Sequence, residues 1–377
     1  MKQGPSPGEP RALSVNLISE TADGLQGHGV HTAFIQTREA LRSAGVDVRV
    51  NSSEPSDVVH IQTMGTRSFA ALLRNRRNTV VSAHIVPQSL VGSFVLARFW
   101  LPVASAYMRV FYGLASRVVA VSPTVADQLE GSELRTPVRL VPNAIDVASS
   151  VPRPGEREVL RARLGVPDER FVVLCVGQIQ PRKCIQAFID AARGLPDVTF
   201  VWVGGMPFKR LTASHRRMAN AVATSPANCM FVGEVPHGTT RSWYAAADCL
   251  FFPSMQETFG LAIVEAAAAR LPLLLRDLPT YEALFGENYI AADDATFAPW
   301  LERLRDDSAL RAHYATAATR LAWNYDTTRM TERLLTVYGE VVSENAARAS
   351  ARPRPIDVAR RRLRPAVRWA LSAWRNR

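Results

Sequence analysis

Short β-rich runs separated by helix-forming stretches recur along this chain, and no other feature constrains its fold as much. ALSVNL (Ala12–Leu17), VDVRV, DVVHIQT, NTVVSAHIV and SRVVAVS come first; FVVLCV, VTFVWV, CMFVG, DCLFF and LPLLLR follow in the second half. Helical sequence between most neighbours demands crossover connections, which is the cadence of a doubly wound parallel sheet. The stretch VASSVPRPGERE after Asp146 is a linker by composition and divides the series in two. With 377 residues, each half can bury a core of its own. The expectation is an α/β protein with one domain over 12–146 and a second over 147–325. A loose polar start occupies 1–11, a terminal helix with Asp326 as its N-cap spans 326–345 and packs back toward the first domain, and a tail fills 346–377.

The net charge of +11 is unevenly placed: Arg348 to Arg377 holds ten arginines and one acid, Asp357, so the body is nearly balanced. Nucleic-acid binding by the folded body is therefore not expected. Cys175, Cys184, Cys229 and Cys249 have no metal-ligand spacing and read as reduced thiols of a cytoplasmic protein. The start, MKQGPSPGEPR, has no secretory-signal pattern.

Chemistry concentrates in Pro253 to Arg270, PSMQETFGLAIVEAAAAR. Its alanine-rich part favours a helix from about Leu261, and a helix start offers unpaired N–H groups and a positive dipole end to a phosphate. Glu257 lies in the loop and Glu265 one turn inside the helix, so the two need not share a task. Alone they would be a solvated loop residue and a surface helix residue. The preceding strand AAADCLFFP puts them outside a strand's carboxyl end, where open α/β sheets bind ligands. A second such corner follows FVVLCV, where Gly177 leads to Arg182 and Lys183, whose charges would complement a diphosphate. A solvated basic loop is the plainer alternative. The first strand runs into a loop with Gly24, Gly27 and Gly29, without the G-x-G-x-x-G pattern. His60 and His84 end two of the runs, and a lone histidine in such a place is more often packed than catalytic.

Glu257-TFGLAIV-Glu265 resembles the E-x7-E element of retaining, family-4-type glycosyltransferases. Gly177-Gln178-IQPR-Lys183-Cys184 is similar to that family's G-R-x-x-x-x-K-G, with Gln178 for arginine and Cys184 for the last glycine. G-x-G-V-H-T-A, VVSAHIVP and VRLVPNAID (Ala144 replacing a glycine) resemble its first loop, its histidine strand and its domain junction. The resemblance implies a GT-B architecture, two Rossmann-like domains facing across a cleft. It implies Glu257 and His84 beside the donor sugar, Glu265 on the ribose, and Val235 on the base. Lys183, Arg182, Gly177, Gln178, Gly27, Gly29 and the segment Thr258, Phe259, Gly260, Leu261 would hold the diphosphate. The implied reaction is retaining hexosyl transfer by front-face displacement, the leaving diphosphate taking the acceptor's proton, with no metal and no cofactor. QGHGVHTAF, WLPVASAYMRVFY, VGQIQPRK and VWVGGMPF look closest to bacterial glycolipid enzymes that extend a monoglucosyl-diacylglycerol. That implies UDP-glucose or UDP-galactose as donor and a lipid acceptor; a soluble, polyprenyl-linked or polysaccharide acceptor is the alternative within the same family.

Two stretches bear on the membrane. Residues 87–117 are apolar and aromatic, with Phe99 and Trp100, but Arg98 and Arg109 interrupt them and Pro102 divides them. They read as a buried helix pair, or as a surface helix dipping into lipid. In the tail, Pro365 can start a helix with Leu363, Val367, Leu371 and Trp374 at helical spacing and Arg364, Arg368, Trp369 and Arg375 among them. This is a basic amphipathic segment suited to an anionic surface, and it places the enzyme peripherally on the inner face of the cell membrane. The rival classes are a glycoside hydrolase using the two glutamates and a non-catalytic lipid- or nucleic-acid-binding protein. The placement of the glutamates gives no reason to expect the facing separation of about 5–9 Å that a hydrolase pair needs.

Overall fold

A computed structural model describes residues 11–23, 29–86, 97–132, 134–206 and 215–351. Two six-stranded sheets, parallel throughout, carry the chain. The first is built from β1 (Ser14–Ile18), β2 (Asp47–Val50), β3 (Val58–Ile61), β4 (Thr79–Ala83), β5 (Arg117–Ala120) and β6 (Val138–Leu140), in the order β2-β1-β3-β4-β5-β6. The second holds β7 (Val172–Val176), β8 (Thr199–Val203), β9 (Cys229–Gly233), β10 (Cys249–Phe252), β11 (Leu273–Arg276) and β12 (Ile290–Ala292), in the order β12-β11-β10-β7-β8-β9. Helices cover both faces, so central strands such as β1, β3, β4 and β10 are buried along their whole length. Ten of these strands correspond to the β-rich runs. β6 and β12 are not among those runs: each is a three-residue edge strand, too short for a β-rich run to stand out.

The chain passes between the halves twice, and the two passages pair. The Ile145 amide donates to the Tyr325 carbonyl and the Thr327 amide to the Ile145 carbonyl, each at 3.0 Å. Asp326 caps the terminal helix by accepting from the Thr328 amide. That helix covers Thr327–Ser350, five residues past the boundary set at 345. It lies on the first sheet, where Met330, Leu334, Val337, Tyr338 and Val341 join the core of Val15, Leu17, Phe34 and Val80. Glu340 and Glu344 hold the buried guanidinium of Arg117, and Glu340 also pairs with Arg139.

The stretch at 87–117 departs from the expected buried pair. Its described part contains one helix, Ala97–Gly113, with Pro102 inside it rather than between two helices. Pro102 lies past the first turn and has no N–H to donate to the turn before it, yet the helix continues through it. One side, with Met108, Phe111 and Tyr112, is buried; the other leaves Val103 61% and Val110 53% exposed. The side chains of Phe99 and Trp100 lie outside the described residues. So do Gly27 and the tail positions Arg364, Arg368, Trp369 and Trp374.

Candidate active site

The second sheet reverses its strand order between β7 and β10, and the loops leaving those two strands meet there. From β7 the chain turns at Gly177 (φ 154°) and reaches a 3₁₀ turn, Pro181–Lys183. From β10 it runs through Pro253–Gly260 into the helix Leu261–Ala268. The Met255 amide donates to the Arg182 carbonyl at 2.7 Å, locking one loop to the other. A third strand closes the corner: Gly204 (φ 139°) passes so near that a Cβ there would sit 2.1 Å from the Gly177 carbonyl oxygen. Only glycine fits.

This junction gathers charge. The Glu257 Oε1 atom lies 2.5 Å from Lys183 Nζ and 2.9 Å from Arg182 Nη1, and it accepts from Ser254 Oγ at 2.8 Å. Burial works against the Glu257 carboxylate, but Lys183 and then Arg182 outweigh it and hold the carboxyl below its usual range. For Lys183, burial prevails over the attraction of Glu257, and its ammonium is held below the ordinary lysine value. The ammonium also stands 4.2 Å over the Phe252 ring. The two cations read as diphosphate partners both pair with Glu257. Gln178 accepts from Gln180 Nε2 at 2.8 Å, and Gln180 Oε1 in turn accepts from Arg182 Nε at 3.1 Å. Cys184 adopts φ 56°, the left-handed conformation that glycine takes without cost, so the loop keeps its path despite the cysteine.

Glu265 belongs to a separate set. It accepts a 2.7 Å hydrogen bond from the Tyr244 hydroxyl, and burial raises its carboxyl to about 7. Gly260 (φ 91°) opens the helix. The Phe259 ring turns inward against Phe285 and Tyr325, so only its backbone can face a ligand. Leu261 is buried, Thr258 half-buried, and Val235 packs at the margin of the core. Gly29 begins the helix Gly29–Ser43 with open space where a Cβ would stand.

In the first half, His84 leaves β4 with its Nε2 atom 2.9 Å from Gln62 Oε1. His60 is packed and hydrogen-bonded on both ring nitrogens, to Tyr338 and Ser82. Between the halves lies a largely apolar cavity of about 830 Å³. Val86, Leu101, Met108 and Leu129 line it from one side, and Arg182, Met255 and Gln256 from the other. Val86 is two residues from His84 and Gln256 is next to Glu257, so the cavity walls come from the same two loops, although neither proposed sugar-facing side chain lines it. Tyr244, Gln62 and the cavity itself carried no sequence signal, because each acquires meaning only from a distant partner. Among the described residues, no group of three or more His, Cys, Asp or Glu is placed to hold a metal ion. None of their helices is long and apolar enough to cross a membrane.

Two Rossmann-like halves with an acidic loop and helix start facing an interdomain cavity define a GT-B glycosyltransferase. Residues 49–149 match the model of Glycosyltransferase Family 4 and residues 156–320 that of Glycosyl transferases group 1. The chain is 31% identical over 290 residues to the alpha-galactosylglucosyldiacylglycerol synthase of Streptococcus pneumoniae, covering 75% of this chain and 77% of that protein. It is 26% identical to the processive diacylglycerol alpha-glucosyltransferase of Acholeplasma laidlawii, covering 74% and 83%. Its fold is similar to Anabaena HepE in complex with UDP-glucose (TM-score 0.70, 18% identity, 87% of this chain and 100% of that one). It is also similar to sucrose-phosphate synthase from Thermosynechococcus elongatus (TM-score 0.75, 17% identity, 88% and 100%). The chain belongs to the family-4, group 1 glycosyltransferases.

Proposed function

We propose that this enzyme transfers a hexose, with retention, from UDP-glucose or UDP-galactose to a membrane glycolipid such as a glucosyl-diacylglycerol. The observation that carries this reading is the apolar interdomain cavity lined by Arg182, the ion-pair partner of Glu257. A soluble sugar acceptor has no use for walls made of Leu101, Met108, Leu129 and Met255; a lipid's glycerol and first methylenes do. The names of the two relatives, both enzymes of diacylglycerol glycolipids, support the same choice. In this reading the diphosphate draws Lys183 and Arg182 away from Glu257, leaving that carboxylate to the sugar. Charge leaving with the diphosphate is stabilised by those cations and the Leu261 helix start, and the diphosphate takes the acceptor's proton. Glu265 accepts from the ribose hydroxyls. Ser105 also lines the cavity, and a bulky side chain there tests the assignment: Ser105→Trp is expected to abolish transfer to a glycolipid in micelles while UDP binding, read by calorimetry, is unchanged. Undiminished transfer would remove the cavity from the acceptor path.

The reading extends to the membrane. The exposed side of the helix Ala97–Gly113, with Val103 and Val110, and the arginine-rich tail would hold the cavity mouth at an anionic inner leaflet. Each arginine near such a surface contributes roughly 1 kcal/mol before salt screening. Because the terminal helix runs to Ser350 and Asn345 bonds the Arg77 carbonyl, the tail is to be removed after Ala351, not after Asn345. That truncation is expected to abolish salt-sensitive sedimentation with anionic vesicles and to spare transfer to detergent-dispersed acceptor. Unchanged sedimentation would make the helix Ala97–Gly113 the main contact.

A further inference from the structure

A buried polar chain connects His84 to the terminal helix. It runs Tyr338, His60, Gln62, His84, with Ser82 alongside, and every member is at most 8% exposed. The Tyr338 hydroxyl lies 2.6 Å from His60 Nδ1, and Ser82 Oγ lies 2.8 Å from His60 Nε2. Both ring nitrogens of His60 are thus engaged and the ring cannot turn. The Gln62 amide nitrogen faces that ring, 3.1 Å from His60 Nε2. This orientation points the other end of the amide, the carbonyl oxygen, at His84 Nε2, 2.9 Å away.

A carbonyl oxygen only accepts, so the proton of the neutral His84 ring must sit on Nε2. Nδ1 is then left as a lone pair, and it makes no hydrogen bond among the described residues. Burial lowers His84 to about 4 and keeps the ring neutral at physiological pH. A neutral imidazole with its lone pair on Nδ1 accepts a hydrogen bond from a hydroxyl; the other tautomer would present a donor instead.

We propose that Gln62 is a positioning residue that fixes the tautomer and orientation of His84, and that Tyr338 on the terminal helix sets Gln62 through His60. The inference rests on the sugar-facing reading of His84. It assigns the terminal helix a second task besides closing the first core, since its Tyr338 hydroxyl anchors the chain that ends at the cleft. The partner of Nδ1 is a hydroxyl of the donor hexose or of the acceptor; the proposal concerns only which kind of hydrogen bond the ring offers.

The test uses the full-length protein labelled with ¹⁵N-histidine, with His84→Ala identifying the His84 signals in long-range ¹H–¹⁵N spectra. Wild type is expected to show His84 as the Nε2–H tautomer alone. Gln62→Met, similar in shape but without an acceptor at that position, is expected to show mixed tautomers. Its kcat should fall about 10-fold or more while KM for the nucleotide sugar stays within about threefold. Tyr338→Phe removes only a hydroxyl and provides a second arm should Gln62→Met fail to fold; it is expected to shift the same signals and to lower kcat without changing KM. A Gln62→Met enzyme with full kcat and an unmixed Nε2–H tautomer, beside an inactive His84→Ala, would overturn the positioning role and leave the reading of His84 standing. Full activity in His84→Ala would overturn both.

Discussion

Lys183→Ala is expected to lower kcat/KM for the nucleotide sugar by about 10²–10³, the usual cost of losing one well-aimed group that stabilises developing charge. The reason lies in the geometry after β7 and β10. Lys183 is buried, with its ammonium between the Phe252 ring and Glu257. Removing it leaves Glu257 with Arg182 and Ser254 only. Lys183→Arg is expected to restore part of the activity, because a planar guanidinium keeps the charge but not the compact geometry. Steady-state kinetics on both variants, with donor affinity measured separately, checks this. Full activity of the alanine variant would assign the role to Arg182.

Asp248→Ala is expected to be strongly destabilising although the residue lies outside the site. Arg161 is only 1% exposed, and its guanidinium donates to the carbonyls of Ala246, Pro167, Asp168 and Arg170 as well as to Asp248 Oδ2 at 2.6 Å. The same carboxylate receives Arg157 at 2.7 Å and the Val172 amide at the start of β7 at 2.8 Å. Deleting it strands a buried cation and an amide donor together, which costs about 3 kcal/mol or more. For a domain of this size that is a loss of roughly 6–12 °C in melting temperature. Thermal unfolding of the variant is the check, and a shift under 2 °C would contradict it.

The β-rich runs exposed both sheets because central parallel strands are apolar on each face: VVLCV, CLFF and LLLR show no alternation to misread. β6 and β12 escape because three residues are too short a run to stand out. The helix at Leu261 was legible from alanine content and the preceding Gly260. What could not be read was contact at a distance. Arg182 and Glu257 are 75 positions apart, and their ion pair appears only once β7 and β10 are neighbours. Tyr244 on Glu265 and Gln62 on His84 are single bonds between ordinary residue types, with no motif to mark them. Pro102 points the wrong way because proline usually divides helices, whereas here the helix continues through it. Cys184 shows the opposite case, a family glycine replaced while the left-handed backbone persists.

The central claim is a chemical one, and the most direct measurement is of the product. Purified full-length protein is incubated with a panel of nucleotide sugars and with glucosyl-diacylglycerol or simple soluble sugars, the lipid in mixed micelles. Mass spectrometry then identifies what has gained a hexose, and the anomeric proton of the new linkage is read by NMR. The account predicts a glycolipid one hexose heavier, formed from UDP-glucose or UDP-galactose with the donor's α-configuration kept. Hexose transfer confined to soluble sugars, or a product of inverted configuration, would contradict it.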